Sequence, residues 1–330
     1  MFQYLLLIQY PNGKFGLKLG SNRTPNLHLN YNVPSNINER CIILVLKNIL
    51  EVRARLGEGP CWNQSEQLLY WVDIYNHRVH QYNPATGASK YFNVGEVVGC
   101  IAPAGTNRLI MAQRNRLAFL DTLHGQVTPI IDIEHNHHDM RFNDGKCDAA
   151  GRFWFGSMNP EEPKGRLYRY DPDGSLHTLL TGLTISNGLG WSPDEKTFYI
   201  TDSPLKTIYA FDFDAKSGDI SNRRVFIDLT TESFVPDGLT VDREGCIWSA
   251  MWDGWCIIRF DPSGKEMMRV KMPVARPTSC TFGNQDMTTL YITTASVGLS
   301  ETEIQNSFYS GDLFTLATNT SGFPSHNFGG

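Results

Sequence analysis

Four short stretches of this chain share an unusual pairing, an oxygen-bearing side chain set beside a glycine. They are Gly57-Glu58-Gly59-Pro60, Arg141-Phe142-Asn143-Asp144-Gly145-Lys146, Ser186-Asn187-Gly188-Leu189 and Pro236-Asp237-Gly238-Leu239. Brought together, Glu58, Asn143, Asn187 and Asp237 would offer two carboxylates and amide oxygens. That is a hard-oxygen set suited to a divalent cation, with water or substrate completing the shell. No histidine or cysteine occupies the same places, which argues against a closed structural zinc site. Taken singly, Pro-Asp-Gly and Ser-Asn-Gly are ordinary turn tetrads. Gly-Glu-Gly is less ordinary, because Glu is a weak turn former.

What unites the four is their phase in a repeat. Each lies about ten residues upstream of a short apolar strand: Leu68-Leu69-Tyr70-Trp71-Val72, Phe153-Trp154-Phe155-Gly156, Phe198-Tyr199-Ile200-Thr201 and Ile247-Trp248-Ser249-Ala250. A further strand and an Asp follow, as in Leu167-Tyr168-Arg169-Tyr170-Asp171 and Ile208-Tyr209-Ala210-Phe211-Asp212. Weaker copies run through Leu109-Ile110-Met111-Ala112 and Leu290-Tyr291-Ile292-Thr293. About six copies at a period of roughly 40 to 50 residues predict an all-β, six-bladed β-propeller with four-stranded blades. The competing architecture is a pair of β-sandwich domains. Blades are related by rotation about a channel, so residues of equal phase lie at similar radius and height. If the turn ahead of each blade's first strand points inward, the four oxygen-bearing residues converge on the axis. Gly99 and Ser279, at that phase in the other two copies, contribute little more than space.

Composition narrows the function class. With 29 Lys+Arg against 34 Asp+Glu and a net charge of -5, the chain lacks the basic surplus of a nucleic-acid binder. Seven scattered cysteines, odd in number and without a Cys-x-x-Cys pair, read as free thiols in a reducing compartment. No apolar run reaches membrane-spanning length, and Leu5-Leu6-Leu7-Ile8 is too short and lacks the basic lead-in of a signal peptide. A cytoplasmic protein without membrane or nucleic-acid partners is expected. Residues 1–45, rich in Asn, Pro and Gly, read as an irregular extension ahead of a propeller domain over 46–330.

In this order, Leu56-Gly57-Glu58-Gly59-Pro60, Arg141-Phe142-Asn143-Asp144-Gly145-Lys146, Ile185-Ser186-Asn187-Gly188-Leu189-Gly190-Trp191-Ser192 and Pro236-Asp237-Gly238 resemble the SMP-30/gluconolactonase/regucalcin-like family. So does Ile220-Ser221-Asn222-Arg223-Arg224 after Phe211-Asp212-Phe213-Asp214. The resemblance runs over roughly residues 45 to 317. It implies a six-bladed propeller that hydrolyses sugar lactones with one divalent ion (Ca, Zn, Mn or Mg). It also implies metal ligands at Glu58, Asn187 and Asp237, substrate contacts at Arg141 and Asn143, and a carboxylate for sugar hydroxyls at Glu161. Asp237 is then the expected general base. The alternative is a calcium-binding regulatory or scaffold propeller without turnover. A weaker third reading is hydrolysis of another ester or an organophosphate.

Several tempting groups are set aside. The stretch 134–139, with its three histidines, reads as a solvated loop. Trp252 and Trp255 could stack on a sugar but are expected to pack between blades. Asp202 is balanced between a structural role and support of the cation ligands. Cys147 reads as a small buried residue.

Overall fold

The computed structural model describes residues 2–8, 42–133 and 140–330; the histidine-rich stretch 134–139 lies outside them. Six antiparallel sheets make up the fold; five are built from consecutive strands, and the sixth joins strands from both ends of the chain. Their first strands are Gly57–Asn63, Val98–Pro103, Arg141–Cys147, Ser186–Trp191, Val235–Val241 and Pro277–Gly283. Each of these touches the next, and the last touches the first, which closes a ring around a central channel. The fold is a six-bladed β-propeller.

The ring closes by strand exchange between the chain's two ends. The sixth blade takes its first three strands, Pro277–Gly283, Thr289–Thr294 and Leu313–Ala317, from the C-terminal region. Its fourth strand is Ile42–Leu50, paired antiparallel with Leu313–Ala317. An irregular extension over 1–45 is therefore not what the described residues hold at either end of that span. Phe2–Ile8 is a strand lying outside Ile42–Leu50, and the expected boundary at residue 45 falls inside a strand. The apolar run Tyr4-Leu5-Leu6-Leu7-Ile8 carries the strand propensity, and the Asn, Pro and Gly that suggested irregularity concentrate in 9–41, outside the described residues.

The innermost strands are buried along their length, whereas an outermost strand such as Ser89–Asn93 is mostly exposed. Apolar side chains fill the gaps between neighbouring blades. Trp154 and Leu167 of the third blade meet Leu189, Phe198 and Phe211 of the fourth, with the Trp154 and Phe198 rings 4.9 Å apart. Buried charge within the blades is neutralised locally. Asp148 accepts from Trp154 and Arg152 in the third blade, and Asp242 accepts from Trp248 and Arg259 in the fifth. The six described cysteines are free and buried, Cys147 among them.

After its last blade strand the chain passes beneath the ring. Gly322 donates to Met287, the backbone of Trp62 donates to Ser325, and Phe328 donates to Pro103 and stacks on Tyr170. Phe323, Pro324, Ser325 and His326 border the far end of the channel together with Lys146, Thr240 and Thr281. This segment forms a floor.

Candidate active site

The glycine-linked motifs were expected to be turns ahead of each blade's first strand. They are the first strands themselves. The aromatic segments about ten residues downstream are second strands. Gly, Asn and Asp depress strand propensity, which hid these strands from a pattern reading. They persist because each is interrupted by a bulge. Pairing with the second strand slips between Glu58 and Cys61, Val98 and Cys100, Phe142 and Gly145, Asn187 and Leu189, Pro236 and Leu239, and Pro277 and Ser279. A bulge re-aims one side chain while the strand continues. Repeated six times at one level, it presents a ring of side chains to the channel.

Glycine has a second reason to be there. A Cβ on Gly188 would lie 2.6 Å from the Asp237 carbonyl oxygen and 2.7 Å from the Gly238 carbonyl carbon. Adjacent inner strands approach closely at the bulge, and only a residue without a side chain permits it.

Glu58, Arg141, Asn143, Asn187 and Asp237 line one cavity of about 360 Å3, walled by Tyr75, Met158, Trp252 and Arg276 among others. The five residues are each nine-tenths or more buried. Among the described residues, Gly99 and Ser279 are absent from the lining and the second blade supplies no side chain to it. The Arg141 guanidinium of the third blade consequently reaches to 5.7 Å from the ring centroid of Tyr75 in the first. Glu161 stands apart. It is exposed in the turn after Phe153–Met158 and does not line the cavity.

Each polar side chain is fixed by a definable partner. Arg141 Nη1 donates to the Phe142 carbonyl at 2.9 Å and to Asn143 Oδ1 at 2.6 Å. Asn143 Nδ2 in turn donates to the Ser186 carbonyl at 2.9 Å, so this amide anchors Arg141 to the fourth blade. Asn187 Nδ2 donates to Ser203 Oγ at 3.1 Å. Its Oδ1 is buried without any hydrogen-bond partner. Glu58 Oε2 accepts from the Gly59 backbone at 3.0 Å. Asp202, undecided from sequence, accepts from the backbones of Thr184 and Ile185 at 3.1 and 3.2 Å, tying down the lead-in to the strand that carries Asn187. Asp73 does the same at Arg55 and Leu56, just before Glu58.

Electrostatically the site is unlike the rest of the interior. Burial first, then the Asp237 and Asp144 carboxylates, push the Glu58 carboxyl well above its ordinary value. Burial and Asp144 do the same to Asp237. Asp148 and Asp242 have arginines within salt-bridge distance; among the described residues Glu58, Asp144 and Asp237 have none. An unpartnered amide oxygen and two buried, mutually repelling carboxylates fit a hard divalent cation held by Glu58, Asn187 and Asp237. Sequence reasoning missed Asp144, Ser203 and Tyr75. Asp144 was legible in principle, adjoining Asn143 in the same motif; Ser203 and Tyr75 come from turns whose position only the ring defines.

A six-bladed propeller with buried acid and amide oxygens in its channel defines a class of protein, and the comparisons fall within it. The sequence profile described as the SMP-30/Gluconolactonase/LRE-like region matches residues 56–296. The chain is 36% identical over 258 residues to the pentonolactonase XacC of Haloferax volcanii, covering 76% of this chain and 86% of that one. It is 36% identical over 287 residues to regucalcin of Gallus gallus, covering 84% and 96% of the two chains. A crystal structure of a calcium-binding protein, regucalcin, from Agrobacterium tumefaciens superposes with a TM-score of 0.82 at 26% identity, covering 85% of this chain and 96% of that one. The chain belongs to the SMP-30/gluconolactonase/LRE-like family.

Proposed function

We propose that the chain is a lactone hydrolase that opens aldonolactones with one divalent ion held by Glu58, Asn187 and Asp237. The observation carrying this reading is the buried Asn187 Oδ1, left without a partner beside two carboxylates that repel one another. The kinship with a pentonolactonase supports the substrate class. A cation bound there supplies Lewis-acid polarisation of a carbonyl and acidifies water.

The remaining chemistry belongs to the side chains. Both anchoring bonds of Arg141 use Nη1, which leaves Nε and Nη2 for a lactone oxygen. Asn143 holds that guanidinium in place. Asp237 takes the proton of the attacking water on a carboxylate oxygen. Water oxygen bonds to the lactone carbonyl carbon, the ring C–O bond breaks, and the released ring oxygen takes up a proton to give the hydroxy acid. Tyr75 and Trp252 offer apolar faces to the sugar's C–H surface. The resemblance assigned sugar contact to Glu161; its exposed place in the turn after Phe153–Met158, outside the cavity lining, limits it to substituents that project from the cavity.

A panel of aldonolactones assayed against Ca, Zn, Mn and Mg ions tests the proposal. Chelation abolishes turnover and a divalent ion restores it. Asp237→Asn lowers kcat by about 10²- to 10⁴-fold with the fold retained. Full activity in a chelated enzyme or in Asp237→Asn overturns the assignment. A regulatory calcium-binding propeller would bind the ion and open no lactone in the panel.

A further inference from the structure

The active-site cavity is bounded on one side by Arg276, and a second cavity begins on the other side of the same residue. This outer cavity has a volume of about 320 Å3, close to the 360 Å3 of the inner one. Its border is formed by Asp253, Trp255, Ala275, Leu299, Glu303 and Asn306. We propose that it is a second carbohydrate subsite, and that the chain accepts an aldonolactone carrying a neutral glycosyl substituent. The proposal rests on the lactonase reading, with the lactone ring in the inner cavity and the second sugar ring in the outer one.

Three features of the outer cavity carry the inference. Trp255 is 37% exposed and presents an indole ring at the border. Around it stand the Asp253 carboxylate, paired with Arg276, the Glu303 carboxylate, whose Oε2 accepts from the Ser300 backbone and hydroxyl, and the Asn306 amide. A flat apolar ring edged by hydrogen-bonding oxygens is the chemistry that recognises a sugar, whose C–H face stacks while its hydroxyls donate. Asp253 is paired with Arg276 at this border, which leaves the Glu303 carboxylate in excess and disfavours an anionic sugar relative to a neutral one.

The second feature is how the fold places that indole. Trp255 sits at φ +55° immediately before its strand, and the matching positions in the first and fourth blades, His77 at +55° and Lys206 at +52°, have the same backbone. The turn is a property of the blade; the indole is what the fifth blade adds.

The third feature is the opposite wall. The connector between the second and third strands is three residues in the fifth blade, 253–255, but spans 295–312 in the sixth. This long segment supplies Leu299, Glu303 and Asn306. Between the cavities, Arg276 is a fixed partition. Its Nε donates to Asp253 Oδ1 at 2.6 Å, its Nη1 donates to the Val297 carbonyl, and its guanidinium lies 4.7 Å from the Trp252 ring centroid. A glycosidic link passing this point meets the edge of a guanidinium and not a closed apolar wall.

The test compares cellobionolactone with gluconolactone as substrates of the metal-loaded protein, with calorimetric binding of cellobionate as a second readout. The expected result is turnover of both. Trp255→Ala then lowers kcat/KM for the disaccharide lactone about ten-fold, through KM, and leaves gluconolactone unchanged. Trp255→Phe, which keeps a ring, retains most of the disaccharide activity, and Asn306→Ala weakens cellobionate binding in an otherwise intact fold. Turnover of gluconolactone without turnover of cellobionolactone overturns the subsite alone. Equal effects of Trp255→Ala on both substrates also overturn it. If neither lactone is opened, the lactonase reading fails and the subsite falls with it.

Discussion

Asn187 is held through its amide nitrogen, by Ser203 and by the Asp237 carboxylate. Ser203 Oγ takes its Nδ2, and Oδ1 is left buried without a partner. Removing the hydroxyl leaves the amide less firmly held. Ser203→Ala is expected to weaken divalent-ion affinity about 10-fold while leaving kcat at saturating ion nearly intact, as an ion titration followed by activity would report. The acids make a second prediction. Burial and mutual repulsion raise Glu58 and Asp237, so the folded metal-free chain holds their protons more tightly than the unfolded chain does. Their contribution to stability is intact below the ordinary carboxylate range and is lost as pH rises through the raised values. A bound cation removes that loss. Thermal unfolding with and without the ion should therefore give a Tm increment that grows from pH 5 to pH 8. An increment independent of pH would mean that these acids do not hold the ion.

The inner strand is the element on which everything depends, and it was the hardest to read. Its oxygen-glycine motifs were visible as chemistry before they were visible as structure. Asp237-Gly238 looks like a turn to any local rule, and the strand exists because a bulge and a neighbouring blade support it. The second and third strands, with patterns such as Phe198-Tyr199-Ile200, announced themselves through aromatic and β-branched content. Thus Glu58, Asn187 and Asp237 could be placed together from phase alone, and the cavity residues borrowed from outer turns, Tyr75, Ser203 and Arg276, could not. Trp252 packs against the core between blades as expected, and it also lines the cavity because its strand ends there. The close approach at the bulge gives the prediction proper to this scale. Gly188→Ala pushes two inner strands apart beside Asn187 and Asp237, costing about 2 kcal/mol in urea unfolding and, on the proposed ligand set, lowering ion affinity in the same variant.

At the scale of the molecule, the ring is sealed by Ile42–Leu50, where Leu44 and Leu46 are each 1% exposed. Starting the chain at residue 42 keeps all four strands of the sixth blade, and its melting should match the full chain's. Starting it at residue 51 strips that strand and two buried leucines, each worth about 2 kcal/mol, and should abolish a single cooperative transition in calorimetry. The segment that runs under the propeller has a different consequence. With Phe323 to His326 stopping one end, the channel is a blind shaft, and whatever comes in must leave by the same doorway. A newly made acid, negatively charged and released between two other acids, has one way out, past the aromatic rim that admitted its parent. Arrival and departure share a queue, so accumulating product competes directly with the next molecule waiting at the rim.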